Sequence, residues 1–383
     1  MQELRKFVAP EFVFGRDAVS LTGRYAVNFG ARKPLIVTDP GVLAAGHVDT
    51  VVRMLEAEGL PSAVFSGVQA NPRDSQVADG MRYYADNGCD VIIAVGGGSP
   101  MDCAKAIGIA TTNSQGALEF EGVDNVSVPG PPLICVPTTA GTSADVSQFA
   151  IINSAAQRRK FAIISKTMVP DVALIDPEMT LTMPPYLTAC TGMDAMVHAI
   201  EAVVSTASSR ITDLHALEAI RIIRKALPLA IADPENADLR EKMMFASMEA
   251  GLAFSNASLG AVHAMAHSIG GYFDLPHGEC NAILLEYIVG YNFRAAPARY
   301  RQVARQLGIK TEWLSDDDLA RALVEDLRAF RESVGIRARF DKSGVTPEEI
   351  RNLARHAIVD PCMITNPRTP TQSELEELYA SVL

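Results

Sequence analysis

Two rhythms of apolar residues divide the chain. Over the first ~180 positions, short β-branched runs alternate with amphipathic stretches, the pattern of parallel βαβ units. The runs at 34–38, 63–65, 90–95, 133–136 and 173–175 read as strands, and 48–59 and 76–87 read as helices closed by Gly or Asn-Gly stops. After Pro184-Pro185 the strand signals fade. Helical periodicity follows at 187–205, 211–231, 237–270, 316–334, 347–357 and 373–382. Thr346-Pro-Glu-Glu and Ser315-Asp-Asp-Asp carry the cap residues and first-turn acids of helix starts. The expected architecture is α/β plus all-α: a Rossmann-like parallel-sheet domain over 1–183, then a helical domain over 184–383.

Composition narrows the class. With 48% hydrophobic and 21% charged residues in 383 positions, the chain can bury the cores of two ordinary domains. The longest strand-like apolar run, Val91-Ile-Ile-Ala-Val95, is far too short to span a bilayer, so no membrane association is expected. The start, Met1-Gln-Glu-Leu-Arg-Lys-Phe-Val, mixes acid and base without an apolar core and predicts a cytoplasmic protein rather than a signal peptide. Six scattered cysteines without a Cys-x-x-Cys pair predict reduced, buried thiols. A net charge of −11, without basic clusters, argues against a nucleic-acid partner.

Candidate chemistry begins at Val91-Ile-Ile-Ala-Val-Gly96-Gly97-Gly98-Ser99-Pro100-Met-Asp102-Cys-Ala-Lys105, a strand, a glycine turn and a helix start. Glycines let the backbone turn and let a ligand approach. Ser99 is the expected N-cap, with Pro100 in the first helical position and Asp102 closing a capping box. The first-turn N–H groups suit a diphosphate, although the loop also works as a tight turn without a ligand. It is not the usual G-x-G-x-x-G fingerprint. A second loop, Pro137-Thr138-Thr139-Ala-Gly141-Thr142, follows the next strand and reads either as a phosphate or ribose contact or as a solvated turn. Together the two loops favour a dinucleotide crevice. Asp39, at the end of 34–38, suits an adenosine ribose and equally suits a turn before Pro40-Gly41.

The second constellation is helical. Asp194 and His198 lie four residues apart on an apolar stretch, as do His263 and His267, and His277 follows in Pro276-His277-Gly278. An i,i+4 spacing places both side chains on one helix face. Four histidines and an aspartate on nearly charge-free segments are costly to bury unless paired or bound to an ion. One carboxylate with imidazoles suits Fe(II), Zn(II), Co(II) or Ni(II) rather than Mg or Ca. His47, His215 and His356 have no partners at useful spacing.

These motifs together, from end to end, resemble the iron-containing (group III) alcohol dehydrogenases. They stand here as Gly96-Gly-Gly-Ser99-x-x-Asp102-x-x-Lys105, Pro137-Thr-Thr-Ala-Gly-Thr142, Asp194-x-x-x-His198, and His263-x-x-x-His267 with His277 in Pro-His-Gly. The resemblance implies a metal-binding helical domain, an active site in the cleft between the domains, and one divalent ion, Fe(II) first, on Asp194, His198, His263 and His277. It leaves His267 as the catalytic residue beside nicotinamide and substrate. It makes Asp39 the NAD-selecting residue and Gly97, Gly98, Ser99, Asp102, Thr138, Thr139 and Thr142 coenzyme contacts. Asn71 and Phe149 fall where the family lines the coenzyme site, and Phe254 and Cys362 where it lines the substrate pocket. A small alcohol or aldehyde, NAD and a homodimer are the implied partners.

One departure stands out. Most members continue Gly-Ser-Glu-Val-Thr after Thr142, whereas this chain reads Ser143-Ala-Asp145-Val-Ser147. The variant resembles a branch associated with regulation of alcohol oxidation in bacteria, so a catalytically weak sensor is an alternative to a metabolic dehydrogenase. A dehydroquinate synthase-type lyase is a further alternative, against which stands the scarcity of Lys and Arg in the metal segments. The expected chemistry is metal-assisted hydride transfer between a primary alcohol and NAD, with His267 relaying the proton.

Overall fold

The computed structural model describes residues 6–341 and 344–383, so Met1 to Arg5 of the N-terminal segment lie outside the described residues. The chain forms two compact units, one of Val8–Met183 with Glu235–Met244, the other of Pro184–Pro234 and Phe245–Leu383 with Phe7.

The first unit carries strands β1 (Glu11–Phe14), β2 (Pro34–Val37), β3 (Ala63–Phe65), β4 (Val91–Gly96), β5 (Gly122–Val123), β6 (Leu133–Pro137), β7 (Phe149–Ser154), β8 (Arg159–Ile164) and β9 (Val172–Ile175). Its helices are α1 (Thr22–Asn28), α2 (Pro40–Ala44), α3 (His47–Ala57), α4 (Asp74–Asp86) and α5 (Gly98–Asn113). Six strands pair in parallel in the order β1-β9-β6-β4-β2-β3. Alternate residues feed two cores: Leu35, Val37, Ile92 and Ala94 pack with α4 and α5 residues such as Val77 and Ile107, while Ile36, Val91, Ile93 and Val95 pack with Ala26, Val51 and Leu55. Both faces are covered, which is why these strands read as continuous apolar runs. From β2 the chain crosses outward to β3, and from β4 it crosses the other way to β6, so the topological switch lies between β2 and β4. The sequence pattern does not show β1 or the antiparallel β7–β8 hairpin, which has β5 alongside β8.

The second unit is helical: α6 (Pro185–Val204), α7 (Arg210–Ala232), the later turns of α8 (Ala237–Ala257), α9 (Ala261–Phe273), α10 (His277–Asn292), α11 (Pro297–Leu307), α12 (Asp316–Ser333), α13 (Pro347–Ile358) and α14 (Gln372–Val382). The periodicity at 237–270 predicts one helix, but there are two. Ser258 takes a left-handed φ of 59° and Gly260 is extended, which breaks the ladder between α8 and α9. The helix α10 escaped the pattern because it is buried on nearly all sides and shows no polar stripe, whereas α11 is amphipathic and has no such excuse in its sequence. The expectation that no segment is long and apolar enough to cross a bilayer is corrected by α6, which has that length and composition. Most of it is buried within the structure, and it carries Asp194, His198 and Glu201, the character of a core helix. All six cysteines are buried, and none is in a disulfide.

Candidate functional site

In the α/β unit, Asp39, the glycine loop and the threonine loop lie at the carboxyl ends of β2, β4 and β6, the place where parallel sheets bind ligands, whereas Asn71 follows β3 and Phe149 opens β7 of the smaller sheet. Gly96, with φ 150°, turns the chain out of β4 so sharply that α5 begins at Gly98. Ser99 is therefore not the N-cap, contrary to expectation. Gly97 holds that position, and no side chain caps it. Asp102, expected to close a capping box, instead accepts from Ile151 N at 3.1 Å. The first-turn N–H groups of α5 are thus left without a side-chain cap at a helix N-terminus, where an anion is favoured.

The threonine loop packs directly on this turn. A Cβ at Gly98 would lie 2.7 Å from Thr142 Cγ2, and one at Gly97 would lie 3.0 Å from Thr139. Thr138 N donates to Gly96 O at 2.9 Å, tying the two loops together. Lys105 is buried and donates to the carbonyls of Ser147 (2.9 Å) and Phe149 (2.8 Å), so it anchors the start of β7. Burial lowers its pKa. Burial also pushes the Asp145 carboxyl up to about 6, against the pull of a backbone N–H and of Lys105. Asn71 holds a left-handed φ of 55°. Asp39 caps α2, its Oδ1 accepting from Gly41 N (2.8 Å) and Val42 N (2.9 Å). Its other oxygen makes no hydrogen bond among the described residues.

In the helical unit, Asp194 of α6, His263 of α9 and His277 of α10 converge: one ligand-type atom from each lies within 4.8 Å of the others. His263 Nε2 and His277 Nε2 are each 3.8 Å from Asp194 Oδ1. Asn281, one turn beyond His277, places its amide nitrogen among them, 2.6 Å from Asp194 Oδ1, 3.0 Å from His263 Nε2 and 3.2 Å from His277 Nε2. An amide carries two hydrogens and meets three acceptor-type atoms here. Its own Oδ1 is buried without a hydrogen-bond partner. Donor atoms aimed at one point and poorly served by an amide fit a cation better, and a carboxylate with imidazoles fits a divalent transition metal.

His198, also expected in this set, falls outside that three-residue group; its ring stacks on His263 (4.5 Å between centroids) and on Phe254 (4.2 Å). Gly278 lets α10 start here, since a Cβ would lie 2.4 Å from Cys190 O on α6.

His267 stands one turn along α9 from His263, and its ring stacks on His277 at 5.3 Å. Its Nδ1 lies 2.9 Å from Asp360 Oδ2, while Asp360 Oδ1 accepts from Cys362 N at 2.8 Å. Burial pushes the Asp360 carboxyl up, but the neighbouring His267 and these hydrogen bonds outweigh it and hold it below its ordinary value. Cys362 is wholly buried, and that burial raises its thiol pKa well above the usual range. Phe254, stacked on His198, and Cys362, tied to Asp360, both lie beside this cluster.

Sequence reading missed three polar residues here: Glu201, Asn281 and Asp360. Glu201 follows His198 by three residues on the same helix and was the one legible candidate, as a carboxylate in an apolar run. Its Oε2 lies 2.6 Å from His263 Nδ1, and burial pushes its carboxyl up to about 7 despite hydrogen bonds from the Val262 and Gly260 backbone. His47 and His215 are occupied elsewhere, by Thr182 (2.8 Å) and Glu249 (2.8 Å).

Residues 9–177 match the family model described as iron-containing alcohol dehydrogenase, and residues 188–383 match that described as the C-terminal part of the Fe-containing alcohol dehydrogenase family. The chain belongs to the iron-containing alcohol dehydrogenase family. It is an alcohol/aldehyde oxidoreductase of that type. Among its relatives, it is 39% identical over 368 residues to 1,3-propanediol dehydrogenase of Citrobacter freundii, covering 96% of this chain and 95% of that one. It is 35% identical to NAD-dependent methanol dehydrogenase of Bacillus methanolicus, covering 98% and 99%. The solved structure of alcohol dehydrogenase from Oenococcus oeni superposes with a TM-score of 0.95 at 37% identity, covering 99% of this chain and 100% of that one. Members of this family thus share the parallel-sheet and helical architecture found here.

Proposed function

We propose that this protein is an NAD-linked, metal-dependent dehydrogenase that interconverts a small primary alcohol and its aldehyde. The observation that carries the reading is the convergence of Asp194 Oδ1, His263 Nε2 and His277 Nε2 around the Asn281 amide. In this reading Asp194, His198, His263 and His277 hold one divalent ion, Fe(II) in the native protein. His198 joins the set on its i+4 spacing from Asp194 and its stacking against His263. When bound, such an ion supplies Lewis-acid polarisation of the substrate oxygen, and NAD supplies the hydride acceptor.

The chain's own residues do the rest. Asp360 holds His267 Nδ1, which leaves His267 Nε2 to take up and pass on the alcohol proton. Phe254 and Cys362 wall the pocket and keep water from it. The α5 N-terminus receives the coenzyme diphosphate, with Gly97, Gly98, Ser99, Thr138, Thr139 and Thr142 around it, while Asn71, Asp102 and Phe149 shape the same site. Asp39 keeps one carboxylate oxygen for the adenosine ribose. The relative named as NAD-dependent supports this coenzyme. A cytoplasmic homodimer completes the proposal, on the family resemblance.

The test is metal analysis beside turnover. His263→Ala and His277→Ala should lose metal and alcohol oxidation together, whereas His267→Ala should keep the metal and lose rate by about 10²–10⁴-fold. Full turnover in an exhaustively chelated, metal-free sample overturns the reading.

A further inference from the structure

Helix α9 opens on a residue that cannot cap it. Gly260 stands at the N-cap with no side chain, so the first-turn N–H groups are served from elsewhere. Ala261 N donates to Asn366 Oδ1 at 3.0 Å, and Val262 N donates to Glu201 Oε1 at 2.7 Å. Glycine is required by this arrangement, because a Cβ there would lie 2.8 Å from Asn366 Oδ1 and 2.9 Å from Glu201 Oε1. The second oxygen of the same carboxylate, Oε2, lies 2.6 Å from His263 Nδ1. Glu201 is 4% exposed, and His263 is 1% exposed.

Each contact constrains a proton. A backbone N–H can only donate, so Oε1 is committed as acceptor. A carboxylate oxygen beside Nδ1 holds the imidazole proton on Nδ1, and a neutral imidazole so protonated carries its lone pair on Nε2. That Nε2 is the atom 3.8 Å from Asp194 Oδ1 and 3.0 Å from the Asn281 amide nitrogen. One side chain on α6 therefore sets both where α9 begins and which nitrogen of His263 turns its lone pair to the cluster.

We propose that Glu201 is a positioning residue that sets the metal affinity of the centre by locking His263 in the Nδ1–H tautomer while capping α9. This rests on the reading of Asp194, His263 and His277 as a metal centre. Partners of this kind on metal-bound histidines typically change affinity 10–100-fold when removed.

The experiment titrates metal-free wild type, Glu201→Gln and Glu201→Met with Zn²⁺ alone and with Co²⁺ alone, in competition with a coloured chelator. In Glu201→Gln the amide oxygen should stay on the Val262 N–H, because that group cannot become an acceptor. The amide NH₂ then faces His263 Nδ1 and drives the proton to Nε2, towards the cluster. Zn²⁺ affinity should fall 10–100-fold and the Co²⁺ absorption bands should weaken, while the melting temperature of the metal-free protein stays near wild type. Glu201→Met should lose the same affinity and also melt lower, having lost the cap. Wild-type affinity in Glu201→Gln overturns the proposal. A second measurement needs no variant that might misfold: ¹⁵N resonances of the His263 ring in metal-free wild type should report Nδ1–H, and an Nε2–H ring overturns it. Failure of wild type to bind either ion is a different result; it removes the metal reading and this proposal with it.

Discussion

The two candidate sites are built from different parts of the chain. At the coenzyme end of the α/β unit, the working groups are backbone N–H donors at the start of α5, and the important side chains are those that are missing. At the metal cluster of the helical unit, the working groups are side chains, each placed by a helix and then aimed by a second buried partner: Asn281 on Asp194, Glu201 on His263, Asp360 on His267. A backbone site comes ready-made wherever a strand turns into a helix. A side-chain site depends on several elements meeting within a fraction of an ångström. Damage should therefore be graded in the first and abrupt in the second.

Outside the candidate ligands and His267, the largest expected effect is at Gly278. In Gly278→Ala the new Cβ meets a backbone carbonyl on α6 at 2.4 Å, an atom that cannot swing aside. The start of α10 must move and carry His277 away from Asp194. A displacement of about 1 Å typically costs 10²-fold in rate, and metal content should fall with kcat/KM. Normal metal content in this variant breaks the comparison.

Gly98→Ala should do less. Its Cβ meets the Thr142 side chain at 2.7 Å, which can yield by rotating. KM for NAD should rise about tenfold, equivalent to ~1.4 kcal/mol, while metal content stays unchanged. Loss of metal from this variant shows that the two sites are not independent.

Asp39→Gly sharpens the coenzyme side. The cap on α2 is exchanged for glycine, which costs only a few tenths of a kcal/mol. Removing a carboxylate that accepts ribose hydroxyls and repels a 2′-phosphate should narrow an NAD-over-NADP preference of at least ~10-fold, since a charged hydrogen bond contributes ~1.5–3 kcal/mol. Measuring kcat/KM with both coenzymes decides it; an unchanged ratio leaves Asp39 as a cap alone.

Smallest is Ser143→Gly. Ser143 occupies a left-handed φ of 52°, a conformation that glycine adopts without strain. A side chain in that region costs about 1–2 kcal/mol, partly offset by the extra freedom that glycine has in the unfolded chain. The variant should melt higher by about 1 kcal/mol of stability, with unchanged KM for NAD. A lower melting temperature means that the serine side chain compensates the strain.

The sequence alone determined whatever depends on a few neighbouring residues. A buried parallel strand shows as an apolar run, a strand-to-helix turn shows as consecutive glycines, and Asp194-x-x-x-His198 and His263-x-x-x-His267 show as pairs because a helix returns to the same face after about four residues. What the sequence could not determine was how those segments meet. Ser99 makes a good cap locally, yet Gly96 turns the chain so that α5 starts before it. The periodicity through 237–270 hides a break that becomes visible only when Gly260 is pressed against Glu201 and Asn366. The partners that aim the site are far away in sequence: Glu201 lies 62 residues from His263, Asn281 87 from Asp194, and Asp360 93 from His267. A buried polar group must find a partner, but nothing local specifies which one. Only the tertiary structure chose them, because helix packing decides which distant donor faces which acceptor once water is excluded.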